Sequence, residues 1–339
     1  METIYLDHAA TTPMHPEAIR VMTDVMNDTF GNPSSIHQFG RAARKRMDDS
    51  RKVLADSIRA SIDEIIFTSG GTEADNSAIF SAVQALRDKG NHIITSEIEH
   101  HAVLHTCEEL EKHGFDVTYL PVDELGRVSV DSVKQALRDD TILVTIMYGN
   151  NEVGTLQPIR EIGRLLKDHQ AFFHTDAVQA YGAVPIDVKE LGVDFMSVSS
   201  HKINGPKGIG FLYARKGIPF KPLLFGGEQE RKRRAGTENV AGAAGFAKAA
   251  EIIQQTAAEK TAMYKTFKGI MIRLLEESGI EFAINGTLDE SLPHILNISF
   301  PGVSVEAFLV NLDLAGIAVS SGSACTAGSI EPSHVLVAM

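Results

Sequence analysis

The sequence alternates short runs of β-branched and aromatic residues with longer segments of helical periodicity, and this alternation limits the folds it can adopt. Strands are predicted over residues 65–68, 92–95, 117–120, 143–147, 172–175, 195–198 and 210–213. Helices are predicted between them, over residues 73–89, 101–113, 130–137 and 159–169. Repeated strand–helix–strand units favour an α/β fold with a mainly parallel sheet and helices on both faces. Because ligands of such sheets bind outside the carboxyl ends of the strands, we expect functional residues in the loops that follow strands.

The C-terminal part of the sequence follows a different pattern. After residue 250 an amphipathic helix is predicted to run to Ser278. Its apolar face consists of Met263, Phe267, Ile270 and Leu274. Strands at residues 281–284 and 295–300, a helix at 305–314 and a strand at 317–320 follow. This mixture predicts a smaller α+β domain.

The length of 339 residues fits about two domains, at about 150 residues for each. We expect a large domain over residues 15–250, and a small domain formed by residues 1–14 together with residues 251–339. The 32 basic and 44 acidic side chains leave a net charge of −12. Because a negative chain repels phosphate backbones, direct nucleic-acid binding is not expected.

Cysteine usage and hydropathy bear on the compartment. Two cysteines, Cys107 and Cys325, are too few for a disulfide framework, which favours a reducing environment. The longest apolar stretches are far shorter than the about 20 residues that cross a bilayer, and the N-terminus shows no secretory signal. We therefore expect a soluble, cytoplasmic protein without a membrane partner.

Several common cofactor motifs are missing from the sequence. It contains no GxGxxG after the first strand, no GxxxxGK[ST] and no HExxH, so nicotinamide, nucleoside triphosphate and zinc-peptidase functions lose their usual support. One glycine turn, TSGGTE at residues 68–73, does follow a strand and open a helix. Its free N–H groups would suit a phosphate, although a plain turn capped by Ser69 or Thr72 is slightly favoured when the turn is taken alone.

Two further strand ends carry reactive side chains. Lys202 follows a strand and precedes a Gly-Pro turn. Desolvation there would lower its pKa and make it a nucleophile or a base, whereas most lysines are solvated surface groups. Asp176 ends another strand, where it could pair with the protonated ring nitrogen of pyridoxal phosphate or cap a helix.

Cys325 lies in an unusual run of small residues, SSGSACTAGS at residues 320–329. Apolar burial is not expected in such company, so Cys325 is predicted to be the reactive thiol, and Cys107 a packed helical residue. Apart from Cys107 and Glu108, no thiol or carboxylate joins His100, His101 and His105 at a ligand spacing, so surface histidines are favoured and no metal site is predicted.

These segments together resemble the cysteine desulfurases, a pyridoxal-phosphate family among the class V aminotransferases of fold type I. The matching segments are YLDHAATT at 5–12, GNPSS at 31–35, GGTEADN at 70–76, EH at 99–100, NNEVG at 150–154, HTDAVQ at 174–179, SSHKINGPKG at 199–208, RAGT at 234–237 and SSGSAC at 320–325. They run almost from end to end. The form of the cysteine segment is similar to the NifS/IscS-like branch, in which the cysteine is carried on a long mobile loop.

The resemblance implies a role for each matching residue. Lys202 would hold the cofactor covalently and later move the proton of the substrate α-carbon. His100 would stack on the pyridine ring and assist proton transfer, and Asp176 would pair with the ring nitrogen. The cofactor phosphate would be held by Gly71, Thr72, Ser199, His201 and the neighbouring subunit's Thr237. Gln179 and Asn151 would contact the ring-oxygen side and orient the substrate. Asn32 would lie near the substrate carboxylate.

The activity implied is the conversion of L-cysteine to L-alanine, with the sulfur captured as a persulfide on Cys325. A homodimer is implied by the contact from Thr237. The sulfur would pass to acceptor proteins that build iron–sulfur clusters or thiolate tRNA. Three alternatives stay open: a selenocysteine lyase, another class V aminotransferase, and a catalytically weak subunit that relays sulfur or binds a scaffold.

One feature of the family has no counterpart in this sequence. Family members continue into an Arg-Phe-Ser-like stretch whose arginine clamps the substrate carboxylate, and such a bidentate clamp is hard to replace. This sequence stops at Met339 with no matching arginine. We therefore expect the C-terminal part of the family's chain to be missing from it.

Overall fold

A computed structural model of the chain describes residues 3–322 and 332–339. Its strands are β1 (Ile4–Tyr5), β2 (Ile65–Thr68), β3 (His92–Ser96), β4 (Asp116–Leu120), β5 (Thr141–Thr145), β6 (Phe172–Asp176), β7 (Phe195–Ser199), β8 (Gly210–Ala214), β9 (Ala283–Asn285), β10 (Asn297–Ser299) and β11 (Ile317–Ala318). Its α-helices are α1 (Pro16–Asp28), α2 (Gln38–Ser57), α3 (Gly71–Ala85), α4 (His101–Lys112), α5 (Val130–Ala136), α6 (Ile159–Leu166), α7 (Val188–Leu191), α8 (Gln229–Lys232), α9 (Val240–Ser278), α10 (Val305–Leu314) and α11 (His334–Ala338).

Seven strands form the central sheet, in the order β2-β8-β7-β6-β5-β3-β4. The pairs β3–β4, β3–β5, β5–β6 and β6–β7 are parallel, and β8 is antiparallel to both of its neighbours. The predicted α/β class with a mainly parallel sheet is confirmed. Two small sheets complete the described strands, a parallel pair β1–β11 and an antiparallel pair β9–β10.

Helices cover both faces of the central sheet. On one face, α3 and α4 pack apolar side chains such as Ile79 and Val103 onto the strands, and on the other face α2, α6 and the start of α9 contribute Leu54, Ile162 and Phe246. Cys107 lies in the first of these layers and is fully buried, as expected for a packed helical residue. Burial there raises the pKa of its thiol, so Cys107 is a poor nucleophile.

The long helix α9 changes its environment along its length. Its first part is buried, and Gly245 lies so close to Met22 of α1 that a Cβ would be 2.6 Å from the Met22 side chain. The predicted apolar face in the second part remains 40–54% exposed: Met263, Phe267, Ile270 and Leu274. The helix itself was predicted correctly, but this face is not packed into a core within the described residues.

The segment between β8 and α9 is anchored by a buried ion pair. Arg51 of α2 binds both carboxylate oxygens of Glu230 in α8, at 2.6 and 2.7 Å, and both side chains are less than a tenth exposed. Phe67 N–H donates to the same carboxylate at 3.0 Å. Glu230 and the two residues after it have φ values of 47–66°, a left-handed conformation that costs free energy outside glycine. The buried pair offsets that cost.

None of the helices in the described part of the chain combines the length and the apolar character needed to cross a membrane.

Replacing Arg51 tests the anchor. In Arg51→Met the Glu230 carboxylate is left buried without its cation, so we expect a loss of about 3–5 kcal/mol in the free energy of unfolding. Urea unfolding followed by circular dichroism measures it. The control is Arg160→Met, which breaks a pair with Glu190 that is about half exposed and should cost less than about 1 kcal/mol. Equal losses in the two variants would contradict the assignment.

Candidate active site

The carboxyl ends of three strands meet at one edge of the central sheet. Thr68, which ends β2, and Ser199, which ends β7, both pair with Gly210 at the start of β8. Because β8 is antiparallel to both, the loops leaving β2 and β7 emerge at the same edge. Asp176 ends the adjacent β6 and pairs with Ser197. Three segments that are distant in sequence are thereby brought together.

Because Gly210 has no side chain, Thr68, Gly210 and Ser199 can lie in one row across the three strands. A Cβ at Gly210 would lie 2.9 Å from the Gly70 backbone and 2.4 Å from the carbonyl oxygen of Val198. Any other residue would push the turn after β2 away from β7. Sequence reasoning missed Gly210. The need for a glycine there comes from a distance between strands, and the only trace of it in the sequence is a glycine at the start of a strand.

The turn after β2 is built to receive an anion. Gly70 precedes α3 with a φ of 155°, and no side chain caps this helix. The first N–H groups of α3 have no intrahelical acceptors and lie at the positive end of the helix dipole. A Cβ on Gly71 would be 2.7 Å from Cγ2 of Val178 and 3.8 Å from Cβ of Ser199. Of the predicted phosphate-binding residues, Gly71 and Ser199 therefore lie side by side, and Thr72 follows in the first turn of α3.

Lys202 lies in the short 3₁₀ turn Ser200–Lys202 that directly follows β7. Its Nζ donates to the carbonyl oxygens of Ala9 and Ala10, at 2.5 and 2.9 Å, and the side chain is half-buried. Two main-chain carbonyls from the N-terminal segment thus hold the amino group at the sheet edge.

The same N-terminal segment fixes the loop that carries Lys202. Thr12 Oγ1 donates to the carbonyl oxygen of His201 at 2.6 Å and accepts from the Asn204 N–H at 2.8 Å. His201 Nδ1 lies 3.1 Å from Thr11 Oγ1. Burial, Lys202 and Lys207 lower the pKa of His201 to about 4, so its ring is neutral at pH 7. The YLDHAATT segment therefore supports the lysine loop.

Asp176 and His100 lie on the same side as Lys202. Asp176 is 6% exposed, and its Oδ1 accepts from the Val178 N–H at 2.8 Å. Burial raises the pKa of Asp176, while His100, the Val178 N–H and Lys202 oppose that rise. His100 caps α4, its Nδ1 accepting from the Ala102 N–H at 3.1 Å. No helix begins after Asp176 before Val188, and the Val178 N–H only closes a short turn, so the helix-cap interpretation of Asp176 is wrong. Its pairing with a ring nitrogen stays a prediction.

A layer of buried polar groups lies next to Asp176, and sequence reasoning missed it. Asp75, on α3, has Oδ1 3.6 Å from His174 Nε2, which also lies 3.0 Å from Ser197 Oγ. Burial and Asp176 raise the pKa of Asp75 well above its usual value, and burial lowers that of His174 to about 3. The His174 ring is therefore neutral at pH 7, and burial opposes ionisation of Asp75. The sequence signal was available, because Asp75 lies in GGTEADN and His174 in HTDAVQ.

Gln179 links the lysine to the C-terminal part of the chain. Its Nε2 donates to Ala9 O at 2.9 Å, which leaves Oε1 as the acceptor for His294 Nε2 at 3.3 Å. Burial, Lys268, Lys202 and His8 lower the pKa of His294 to about 4. His294 therefore donates as a neutral ring. Sequence reasoning missed it, because SLPHIL matches no motif.

Within residues 3–322 and 332–339, three of the predicted residues have no hydrogen bond or ion pair to this cluster. Asn151 is half-buried in the loop after β5, and Thr237 is exposed. Asn32 is also exposed, and its Oδ1 accepts from the Ser34 N–H at 2.9 Å. Their roles stay predictions.

Cys325 lies outside the described residues, but its flanks are described. A Cβ on Gly322 would be 3.2 Å from Cβ of Ser333 and 3.5 Å from Oε2 of Glu152. Ser333 Oγ donates to the same carboxylate. Burial raises the pKa of Glu152, with Ser333, His334 and His100 opposing the rise. The two flanks of residues 323–331 therefore converge on the side of the site where His100 lies.

The histidines near His100 pack against one another. The His101 ring lies 4.9 Å from that of His105 and 4.8 Å from that of His334. In the described part of the chain, no group of three or more His, Cys, Asp and Glu residues is arranged to hold a metal ion.

The cluster fits pyridoxal phosphate. The uncapped N-terminus of α3 beside Ser199 matches the phosphate, and the Lys202 amino group matches the aldehyde. The buried Asp176 carboxylate at the same edge matches a protonated ring nitrogen.

The lowered pKa of His294 predicts acid sensitivity. The pKa falls from the usual 6.5 to about 4 on folding, so the unfolded state gains the proton first and stability decreases as the pH falls from 6.5 towards 4. His294→Gln keeps a hydrogen-bond donor but has no ionisable ring. It should remove at most about 3 kcal/mol of the acid-induced decrease in the free energy of unfolding. Unfolding midpoints between pH 7 and pH 4 measure it. The exposed His113→Gln should keep the wild-type slope; an unchanged slope in His294→Gln would refute the assignment.

Comparisons with known proteins agree with this geometry. The family described as "Aminotransferase class-V" matches residues 4–339. A protein of Bacillus subtilis (strain 168) named "Putative cysteine desulfurase IscS 1" is 63% identical over 339 residues, which cover 100% of this chain and 89% of the relative. "Cysteine desulfurase IscS" of Dictyoglomus turgidum is 50% identical over 336 residues, 99% of this chain and 85% of the relative.

The fold has a solved counterpart. A structure named "NIFS-LIKE PROTEIN" superimposes with a TM-score of 0.93 at 37% identity, over 99% of this chain and 89% of the other. The family match spans nearly all of the sequence, and the identities hold over its full length. The chain therefore belongs to the class V aminotransferase family, among relatives named cysteine desulfurases.

Proposed function

We propose that the chain is a pyridoxal-phosphate-dependent cysteine desulfurase, which releases L-alanine from L-cysteine and receives the sulfur as a persulfide on Cys325. The observation that carries the proposal is the arrangement of Lys202 at the sheet edge, between a buried acid, Asp176, and an uncapped helix N-terminus. The relatives' names support the same activity.

Each part of the cofactor has a counterpart in the chain. When bound, pyridoxal phosphate supplies an electron sink that stabilises negative charge at the substrate α-carbon. Lys202 would hold it covalently, with His100 against the ring. Gly71, Thr72, Ser199 and His201 would bind the phosphate, and a neutral His201 would do so as a hydrogen-bonding group. Gln179 and Asn151 would orient the ring oxygen and the substrate, and Asn32 would lie near the substrate carboxylate.

Lys202 would also move the proton of the substrate α-carbon. The carbonyl oxygens of Ala9 and Ala10 accept its N–H groups and hold Nζ at one place. An amino group restrained in this way keeps its position when it breaks the bond to the cofactor and accepts a proton. Efficient proton transfer requires such a fixed position. Thr12 supports the restraint by binding the backbone on both sides of Lys202.

Asp176 would keep the ring nitrogen protonated. A carboxylate that is 6% exposed needs a positive partner, because burial alone raises its pKa. His100 and Lys202 provide part of the opposing charge. Burial opposes a negative charge on Asp75 and keeps His174 neutral, so neither residue supplies a cation to Asp176, and the ring nitrogen would complete the pairing.

Cys325 would act as the nucleophile towards the substrate sulfur. Its thiolate forms an S–S bond while the C–S bond of the substrate breaks, and a proton returned to carbon yields alanine. The flanks at Gly322 and Ser333 lie beside Glu152, on the His100 side, which supports delivery to this site.

The wider assignments follow from the family resemblance. We propose a cytoplasmic homodimer in which Thr237 contacts the cofactor phosphate of the neighbouring subunit. The persulfide would pass to an iron–sulfur scaffold or a tRNA-thiolating enzyme. A large domain over residues 15–250 and a small one over residues 1–14 and 251–339 would carry the two halves of the site.

Two substitutions separate cofactor binding from sulfur transfer. Cys325→Ala should abolish sulfide release from L-cysteine and leave the yellow colour of the bound cofactor, whereas Lys202→Ala should remove both. The control Cys107→Ala should keep the activity, because that thiol is buried away from the site. Sulfide and alanine assays with borohydride trapping measure the outcomes.

The rival functions predict other results. Turnover of selenocysteine without any sulfide from L-cysteine would indicate a selenocysteine lyase, and activity that survives Cys325→Ala would exclude the persulfide step. Wild-type protein that stays colourless with added pyridoxal phosphate would favour a sulfur-relay or scaffold-binding subunit.

The contact between Gly71 and Val178 yields a rescue experiment. Gly71→Ala places a methyl group 2.7 Å from Val178 Cγ2 and displaces the residue whose N–H binds Asp176. The affinity for pyridoxal phosphate should fall about tenfold, equivalent to about 1.4 kcal/mol. Gly71→Ala/Val178→Ala removes the clash and should recover most of the affinity, and Val178→Ala alone serves as the control. Titration of the apoprotein by absorbance measures the affinities; no rescue would contradict a steric cause.

A further inference from the structure

Residues 228–239, here called the arm, form the last part of the connection from β8 to α9 and are tied to the elements around the central sheet by four ion pairs. The pairs are Glu230 with Arg51, Arg231 with Asp63, Arg234 with Glu73, and Glu238 with Arg44. A functional role of the arm depends on the proposed function. The arm contacts the turn at residues 69–72, here called the phosphate turn, and it carries Thr237, which would reach a second subunit.

The ion pair of Arg234 with Glu73 reaches the turn that precedes α3. Arg234 Nε donates to Glu73 Oε1 at 2.8 Å, and Nη2 donates to Oε2 at 3.2 Å. Glu73 Oε2 also accepts from the Ser69 N–H at 2.8 Å. The Glu73 side chain is 12% exposed and that of Arg234 is 25% exposed. One carboxylate thus holds both the turn that precedes α3 and the arm.

The pair also balances charge. Although burial opposes ionisation, the hydrogen bonds from Arg234 and Ser69 keep the pKa of Glu73 below its usual value. An ionised carboxylate in the first turn of α3 would repel a phosphate at the same helix N-terminus, and the guanidinium offsets that repulsion. Glu73 is therefore compatible with phosphate binding only while Arg234 is in place.

Thr237 is presented between two of these anchors. Arg234 lies three residues before it, and Glu238 directly follows it, with Oε1 3.2 Å from Arg44 Nη2. The Glu238 side chain is 2% exposed, whereas Thr237 is exposed. Fixing the residues on both sides of an exposed threonine limits the positions that its hydroxyl can reach.

We propose that Glu73 and Arg234 are positioning residues that couple two sites: their ion pair sets both the phosphate turn of its own subunit and the position from which Thr237 contacts the phosphate in the second subunit. Binding of the cofactor in one subunit then depends on the Glu73–Arg234 pair of the other.

Mixed dimers test this coupling. Two copies with different affinity tags are coexpressed, and one copy carries Lys202→Ala, so that only the other site gives the visible absorbance of lysine-bound pyridoxal phosphate. Arg234→Gln is placed on the Lys202→Ala copy. The affinity of the intact site for pyridoxal phosphate should fall about tenfold, as it should for Thr237→Ala on the same copy.

A double-mutant cycle distinguishes positioning from a general loss of stability. Arg234→Gln together with Thr237→Ala on that copy should lose no more affinity than Thr237→Ala alone, because the arginine acts through the threonine. Arg160→Gln on the same copy is the matched control, and should leave the affinity unchanged. If the Arg234→Gln dimer does not assemble, Glu73→Gln on the same copy breaks the bond from its other end and should give the same loss.

The outcomes that overturn the proposal are separate from those that overturn the function. Full affinity with Arg234→Gln or Glu73→Gln on the Lys202→Ala copy, or additive losses in the cycle, would overturn the coupling. A mixed dimer of otherwise wild-type sequence that gives no absorbance would overturn the proposed function instead. No effect of Thr237→Ala in the second copy would overturn both the coupling and the proposed contact between subunits.

Discussion

The register at one edge of the central sheet is the constraint on which the rest of the site depends. β2 and β7 end in the same row only because β8 runs between them in the opposite direction, with Gly210 paired to both. The parallel pairing of β6 with β7 then places Asp176 beside that row. Hydrogen bonds fix strand register more firmly than side-chain packing fixes a loop, so the acid, the lysine and the phosphate turn have set relative positions.

The second constraint is the handling of charge in a buried place. The site contains carboxyl groups, imidazoles and a lysine within a short distance, and burial penalises every charged form. Burial lowers the pKa values of His174, His201 and His294 and so keeps these rings neutral at pH 7, and it raises the pKa of Asp75. Beside Asp176, by contrast, His100 and Lys202 oppose the rise in its pKa that burial causes.

Segments far from the sheet complete the site through main-chain atoms. Ala9 O accepts from both Lys202 and Gln179, and His294 reaches the same cluster from the C-terminal part of the chain. The two bonds to Ala9 use a backbone carbonyl, which every residue has, so their geometry depends on the path of the chain more than on residue type. Glu73 likewise joins two segments, because its carboxylate binds both the phosphate turn and the arm.

The sequence by itself determined the α/β class, the seven strands of the central sheet with the helices predicted between them, and the loops in which Lys202 and Asp176 lie, because periodicity and turn chemistry are local properties. Helices α1 and α2 were not predicted. Element ends differed by a few residues, since helix termini depend on neighbouring packing. Only the tertiary structure decided that Gly210 must lack a side chain, that His294 belongs to the cluster, and that Glu73 binds Arg234. These facts are distances between segments that the sequence separates, and no local pattern encodes such distances.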